Sequence, residues 1–178
     1  LVMGVVLTIV GLLFNDPILK AIGVPSEVFS EASTYLSIYF WSLIFVMVYN
    51  MGSGILRSVG DSKRPLYFLI FSSVVNIILD FLFVKYFHFG VAGAGYATLI
   101  AQAISAIMVM YVLMKTEDDY KVILKEIGFD KEILLKIIKI GLPTGFQQSI
   151  VSLSNVIVQS YINVYGASVI AGYSVTIK

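Results

Sequence analysis

The sequence predicts an all-α, polytopic membrane protein. Hydrophobic residues make up 58% of the chain against 13% charged, too apolar for a soluble domain of this length, whose surface has to be largely polar. Apolar runs over residues 36–56, 66–84, 91–114 and 140–164 come close to or exceed the roughly 20 residues a helix needs to cross about 30 Å of hydrocarbon. Basic residues collect in alternate connections, as the positive-inside rule requires of a multi-pass chain. Four complete spanning helices are expected.

The chain opens in LVMGVVLTIVGLLF, too short to span alone and lacking the basic start and small-residue cleavage site of a signal peptide. It reads as the tail of a helix. The far end, GASVIAGYSVTIK, reads as the approach to another helix, so the chain is expected to be the middle of a longer protein. The connection over 15–34 carries Pro17, Gly23 and Pro25 before a Ser/Glu-rich turn, and is expected to be a short interfacial loop, with Ser30 or Ser33 capping the next helix. In LRSVGDSKRP, Gly60 suits a helix end, Asp61 and Ser62 a turn, and Pro65 the first turn of the next helix. Between 115 and 139, charges alternate with Val122, Ile123, Ile127, Ile133, Leu134, Ile137 and Ile138. That spacing predicts an amphipathic helix along the membrane surface, leading into the last span.

Arg57, Lys63 and Arg64 lie in one connection, and Lys115, Lys121, Lys125, Lys131, Lys136 and Lys139 in another, whereas the opposite loops hold only Lys20 and Lys85. The 57–65 and 115–139 connections are therefore expected in the cytoplasm, and 15–34, 85–90 and 164–172 outside, in a multi-pass protein of the inner or plasma membrane. The net charge of +1 gives no sign of a nucleic-acid partner, and the absence of cysteine excludes disulfides and thiolate metal sites. His88, the lone histidine, reads as an interfacial loop residue.

Asp80 is the only charged side chain inside any long apolar run. A mid-bilayer aspartate costs about 2.5–3.5 kcal/mol on insertion scales, so it calls for a partner, a watery cavity or a function. Ser72, Asn76 and Asp80 recur every four residues and share one helix face. Asp80 lies about 10 Å from the outer end of its helix, and Thr98 lies at a similar depth on the next. Tyr35 and Tyr39 occupy the outer part of the preceding helix, so all can border one pocket. Asp80, Asn76 and Thr98 supply hard oxygen ligands, which leaves proton exchange and sodium binding both open. The competing reading makes Asp80 an interhelical hydrogen-bonding residue, with Asn76 in a packing role.

A second stripe, Gln148, Ser152, Asn155 and Gln159, follows Pro143. Uncharged amides suit a cavity wall that accepts varied substrates, and interhelical packing is the alternative.

Together GILRSVGDSKRP, NIILDFLFV, GVAGAGYATLIAQ and IGLPTGFQQS resemble successive signature regions of the multidrug and toxic compound extrusion (MATE) family. The resemblance implies a helical bundle fragment comprising the end of helix 3, helices 4 to 6, the interlobe connector, helix 7 and the start of helix 8. Residues 1–114 would belong to the N-terminal six-helix lobe, 115–138 to the connector and 139–178 to the C-terminal lobe. It implies that Asp80 and Asn76 form a cation site with the Thr98 hydroxyl and Tyr35, while the principal coupling aspartate of that site belongs to helix 1. Where some sodium-coupled members carry a helix 7 glutamate, this chain has Val151.

The function implied is secondary antiport of small, often cationic organic molecules against protons or sodium, by a monomer in the lipid bilayer, without an enzymatic step or any cofactor beyond the coupling ion. A lipid-linked oligosaccharide flippase of related architecture is the alternative, but it usually has basic residues in its cavity, and no span interior here holds Lys or Arg. An intramembrane aspartyl protease needs two facing aspartates, and Asp61 falls in the hairpin.

Overall fold

The computed structural model describes residues 2–22, 24–126, 128 and 130–163, with the side chains of 2, 22, 156 and 159–163 not included. Two compact units divide the chain, Leu1–Leu124 and Lys125–Lys178.

In the first unit the opening apolar segment forms α1 (Val2–Leu13), bends by 62°, and continues as α2 (Asn15–Ile22). The expected interfacial loop is therefore largely helical. Its conformation is held by the buried Asn15, whose Nδ2 donates to Ser33 O at 2.9 Å, Ser33 Oγ at 3.1 Å and Ser37 Oγ at 2.7 Å. Ser33 Oγ in turn donates to Asp16 Oδ1 at 2.9 Å. The next helix, α3 (Ser26–Ser58), starts directly after Pro25 and has no side-chain cap. Ser30 and Ser33 lie inside it and cap nothing: the extended backbone of Pro25 (φ −57°, ψ 144°) sets the start earlier, and the Ser33 hydroxyl is committed to Asp16.

Gly60 ends α3 as expected. At φ +88° it lets its N–H reach Arg57 O at 3.1 Å, while Asp61 N–H reaches Leu56 O at 2.9 Å, which satisfies two of the free carbonyls at the helix end. Asp61 then accepts from Arg64 N at 3.1 Å and pairs with the Arg64 guanidinium at 3.2 Å. Pro65 sits in the first turn of α4 (Lys63–Phe81), where no N–H is needed. Beyond Phe81 the helix widens into a π-helical turn, Leu82–Tyr86, and His88 and Gly90 both take positive φ before α5 (Gly90–Lys115) begins.

The centre of the unit is α5, which packs along both α3 and α4, while α3 and α4 meet little. Ala97, Ala101, Ser105, Val109 and Leu113 recur every four residues and are all buried. The small residues allow close helix approach, and Val109 and Leu113 join Leu56 and Phe68 in the apolar core. Gly52 of α3 lies against this stripe: a Cβ there would stand 2.8 Å from Val109 Cγ2. Three buried hydroxyls donate within their own helices, Ser42 to Tyr39 O, Ser72 to Leu69 O and Ser105 to Gln102 O, while Thr8 donates to Phe40 O of α3 and Ser53 Oγ has no partner among the described residues.

Among the described residues three helical segments, Ser26–Ser58, Lys63–Tyr86 and Gly90–Lys115, are long and apolar enough to cross a membrane, or four if the bent pair counts as one span. The chain is thus a multi-pass membrane protein. Large apolar side chains exposed on α4, such as Ile77 at 68%, are at home in hydrocarbon.

The second unit contains α6 (Lys131–Asn163). The expected surface helix over 115–139 is absent as a separate element. Residues 116–123 are non-helical, Leu124–Glu126 make a single 3₁₀ turn, and the helical part from Lys131 runs straight on into the segment read as the last span. Asp130 sets this start, its Oδ1 accepting from Glu132 N at 2.8 Å and Ile133 N at 3.0 Å. The expected complete span over 140–164 is met in length only, because Gln147, Gln148, Ser149, Ser152, Ser154 and Asn155 lower the hydropathy of α6 below that of the other three. The expected 164–172 connection and the approach to a further helix lie outside the described residues.

Candidate functional site

One polar stripe runs along α4. Ser72 is buried and bonded to Leu69 O at 3.0 Å. Asn76 and Asp80, one and two turns further on, are half-buried, and Asn76 Nδ2 and Asp80 Oδ1 are buried atoms without a hydrogen-bond partner among the described residues. The backbone N–H groups of α4 beside Asp80 are engaged in the helix ladder and so cannot donate to its carboxylate. The one ion pair among the described residues, Arg64–Asp61, lies in the hairpin, so Asp80 has no protein cation there to balance it.

Two contacts bring the outer parts of the three spans to one level. A Cβ on Gly93 would stand 3.0 Å from Phe83 Cβ in the π-helical turn, and one on Gly95 would stand 3.2 Å from Ile38 Cδ1 of α3. Asp80 lies three residues before Phe83, Tyr35 three before Ile38, and Thr98 three after Gly95. At about 1.5 Å per residue these contacts put Asp80 and Thr98 within about 3 Å of one another in depth, whereas Tyr35, which precedes Ile38 on a helix parallel to α5, lies about 6 Å further out than Asp80. No hydrogen bond joins them: Thr98 Oγ1 donates to Ala94 O at 3.0 Å within α5, which leaves its lone pairs free. Tyr35 is half-buried and Tyr39 is 44% exposed.

In the second unit Gln148, Ser152 and Asn155 share one side of α6 and are exposed; the side chain of Gln159 lies outside the described residues. Thr144, Ser149 and Ser154 donate instead to carbonyls four residues back, at 2.8, 2.9 and 2.9 Å. The amide stripe is thus left to meet whatever faces it.

The Asn15 cluster was not legible as a site in the sequence. Its one signal is Ser33 and Ser37 at a four-residue spacing, which marks a hydroxyl face without naming its partner. Asn15 Oδ1 is also buried and has no hydrogen-bond partner among the described residues.

Comparisons with known proteins converge. The family model MatE matches residues 1–82. The probable multidrug resistance protein YoeA of Bacillus subtilis (strain 168) is 34% identical over 180 residues, which cover 97% of this chain and 39% of that protein. The multidrug export protein MepA of Staphylococcus aureus (strain MRSA252) is 27% identical, over 99% of this chain and 39% of its own length. The chain therefore spans about two fifths of the curated relatives it matches. Among solved structures, a MOP superfamily transporter from Pyrococcus furiosus superposes with a TM-score of 0.86 at 29% identity, covering 99% of this chain and 40% of that one. A crystal structure of MATE in the bent conformation superposes with a TM-score of 0.85, also at 29% identity, over 98% and 39%.

Proposed function

Because the chain belongs to the multidrug and toxic compound extrusion (MATE) family, we propose that it forms part of a cation-coupled antiporter that exports small, often cationic organic molecules. The observation that carries the coupling role is the half-buried Asp80, on a membrane-spanning helix, whose buried Oδ1 has no hydrogen-bond partner among the described residues. A buried acceptor in that setting is costly unless a proton or cation meets it.

The donor set fits such an ion. Asp80 Oδ1 is free to accept, and the Thr98 oxygen keeps its lone pairs because its hydrogen goes to Ala94. Asn76 offers the amide one turn away, and Tyr35 borders the site from its outer side on α3. Proton and sodium both suit these oxygens. Loading of Asp80 favours one packing of the lobe and substrate binding favours the other, so the two alternate in occupying the protein. Substrate contact is assigned to Gln148, Ser152, Asn155 and Gln159 in the second unit and, separately, to Tyr39 in the first. The chain then supplies part of the N-terminal lobe (1–114), the connector (115–138) and the start of the C-terminal lobe (139–178) of a monomeric transporter in the cell membrane, with the 57–65 and 115–139 connections in the cytoplasm.

The test is efflux by the full transporter carrying this segment, Asp80→Asn against unmodified protein at matched membrane expression, with proton and sodium gradients collapsed separately. Loss of efflux in a well-inserted variant supports the coupling role, and the gradient that matters names the ion. Unchanged efflux refutes it.

A further inference from the structure

The helix α6 is longer than a crossing requires. The 33 residues of α6 measure about 50 Å at about 1.5 Å per residue, against about 30 Å of hydrocarbon. The part ahead of Pro143, residues 131–142, has an unusual division of its surface. Glu132, Lys136 and Lys139 stand four and three residues apart and so make one narrow stripe. Apart from Lys131 at the helix start, the rest of the circumference is apolar and exposed among the described residues: Ile133 is 55% exposed, Ile137 61%, Ile140 72% and Leu142 59%. With Lys131, the segment holds three lysines and one glutamate, a net charge of +2.

Water is a poor solvent for that apolar arc, and the hydrocarbon centre is a poor one for the lysines. Both are satisfied where acyl chains meet headgroups, because lysine stems lie along apolar surface while the ammonium reaches outward. A net positive charge at that depth selects for negative headgroups.

We infer that residues 131–142 are a binding surface for anionic phospholipid headgroups, with Lys136 and Lys139 holding the lipid phosphate and Ile137 and Ile140 facing the upper acyl chains. This goes beyond the transport reading and does not depend on Asp80.

The experiment uses the full transporter carrying this segment, reconstituted in nanodiscs of phosphatidylcholine with or without phosphatidylglycerol. Native mass spectrometry counts the lipids it retains, for unmodified protein and for K136Q/K139Q. The unmodified protein should retain phosphatidylglycerol over phosphatidylcholine, and the variant should lose that preference on the order of tenfold, as expected for two basic groups at an anionic surface. In parallel, Ile137→Cys carrying a spin label reads the surroundings directly. Collision with oxygen but not with an aqueous nickel chelate is the expected result. Absence of a phosphatidylglycerol preference, an equal preference in K136Q/K139Q, or a label shielded from both reagents would overturn the inference, the last by showing that another part of the protein covers this face.

Discussion

Asn76 and Asp80 stand one helical turn apart on α4, and the buried Nδ2 of the first and the buried Oδ1 of the second both lack a hydrogen-bond partner among the described residues. A donor and an acceptor so close, yet each unsatisfied, cost about 1–3 kcal/mol apiece in a protein interior. Such a pair stabilises nothing by itself, which fits a site shaped for an ion. Asp80→Asn in the full transporter should therefore melt at the same temperature or higher while efflux is lost. A melting temperature lowered as far as that of a core truncation would instead mark Asp80 as packing glue.

Helix approach at Gly52 gives a second expectation. Its missing side chain is what lets α3 lie on Val109 and Leu113. Gly52→Leu should destabilise the protein by about 1–3 kcal/mol through overpacking, read by thermal melting in detergent. Gly54→Leu, two residues on where a Cβ meets open space, serves as the control and should leave stability nearly unchanged.

Asn15 is the residue on which the junction of α1 and α2 depends. Asn15→Leu keeps the size and removes the donor to Ser33 and Ser37, and should cost about 1–3 kcal/mol by leaving buried acceptors unmet. A melt indistinguishable from the unmodified protein would show that the Thr8 bond to Phe40 O, 2.9 Å long, and the apolar contacts suffice.

At Gly60 the backbone lies at φ +88°, which costs a residue with a side chain about 1–2 kcal/mol. Since a Cβ there meets nothing within 4 Å, the loss in Gly60→Ala should come from conformation alone. Replacement by Asn, which tolerates the left-handed region better, should recover part of it.

Acid should loosen the turn after α5. The Asp118 carboxyl is held below the ordinary carboxylate range by the Thr116 hydroxyl, which donates to it at 2.7 Å, then by Tyr120 and the Arg64 charge. A depressed folded-state value means the contribution is present above the unfolded value and is lost as pH falls through the folded one. Amide protection at residues 116–120, taken relative to the intrinsic exchange rate at each pH, should therefore fall below about pH 4, near the unperturbed carboxylate value, and Asp118→Asn should remove that pH response. The group is exposed, so global stability should barely move.

Much of this molecule was readable before any coordinates. The end of α3 at Gly60, Pro65 in the first turn of α4, and the α4 stripe through Asn76 and Asp80 all follow from rules that act over four or five residues. The start of α3, the merging of the connector with α6 and the π-helical turn after Phe81 did not. Pro25 began α3 a turn earlier than a search for serine caps suggests, and Asp130 began α6 where charge alternation alone implied a continuous surface helix.

By itself the sequence determined the membrane class, three of the four expected spans and the singular charge at Asp80. Bilayer thickness and the cost of a buried charge act on each stretch of chain separately, so they leave their mark in one dimension. Only the tertiary structure decided which polar groups find partners: Asn15 is met by residues 18 and 22 positions away, whereas Asp80 and Asn76 are met by none among the described residues. Satisfaction of a buried group depends on what distant helices bring to it, and that no local pattern records.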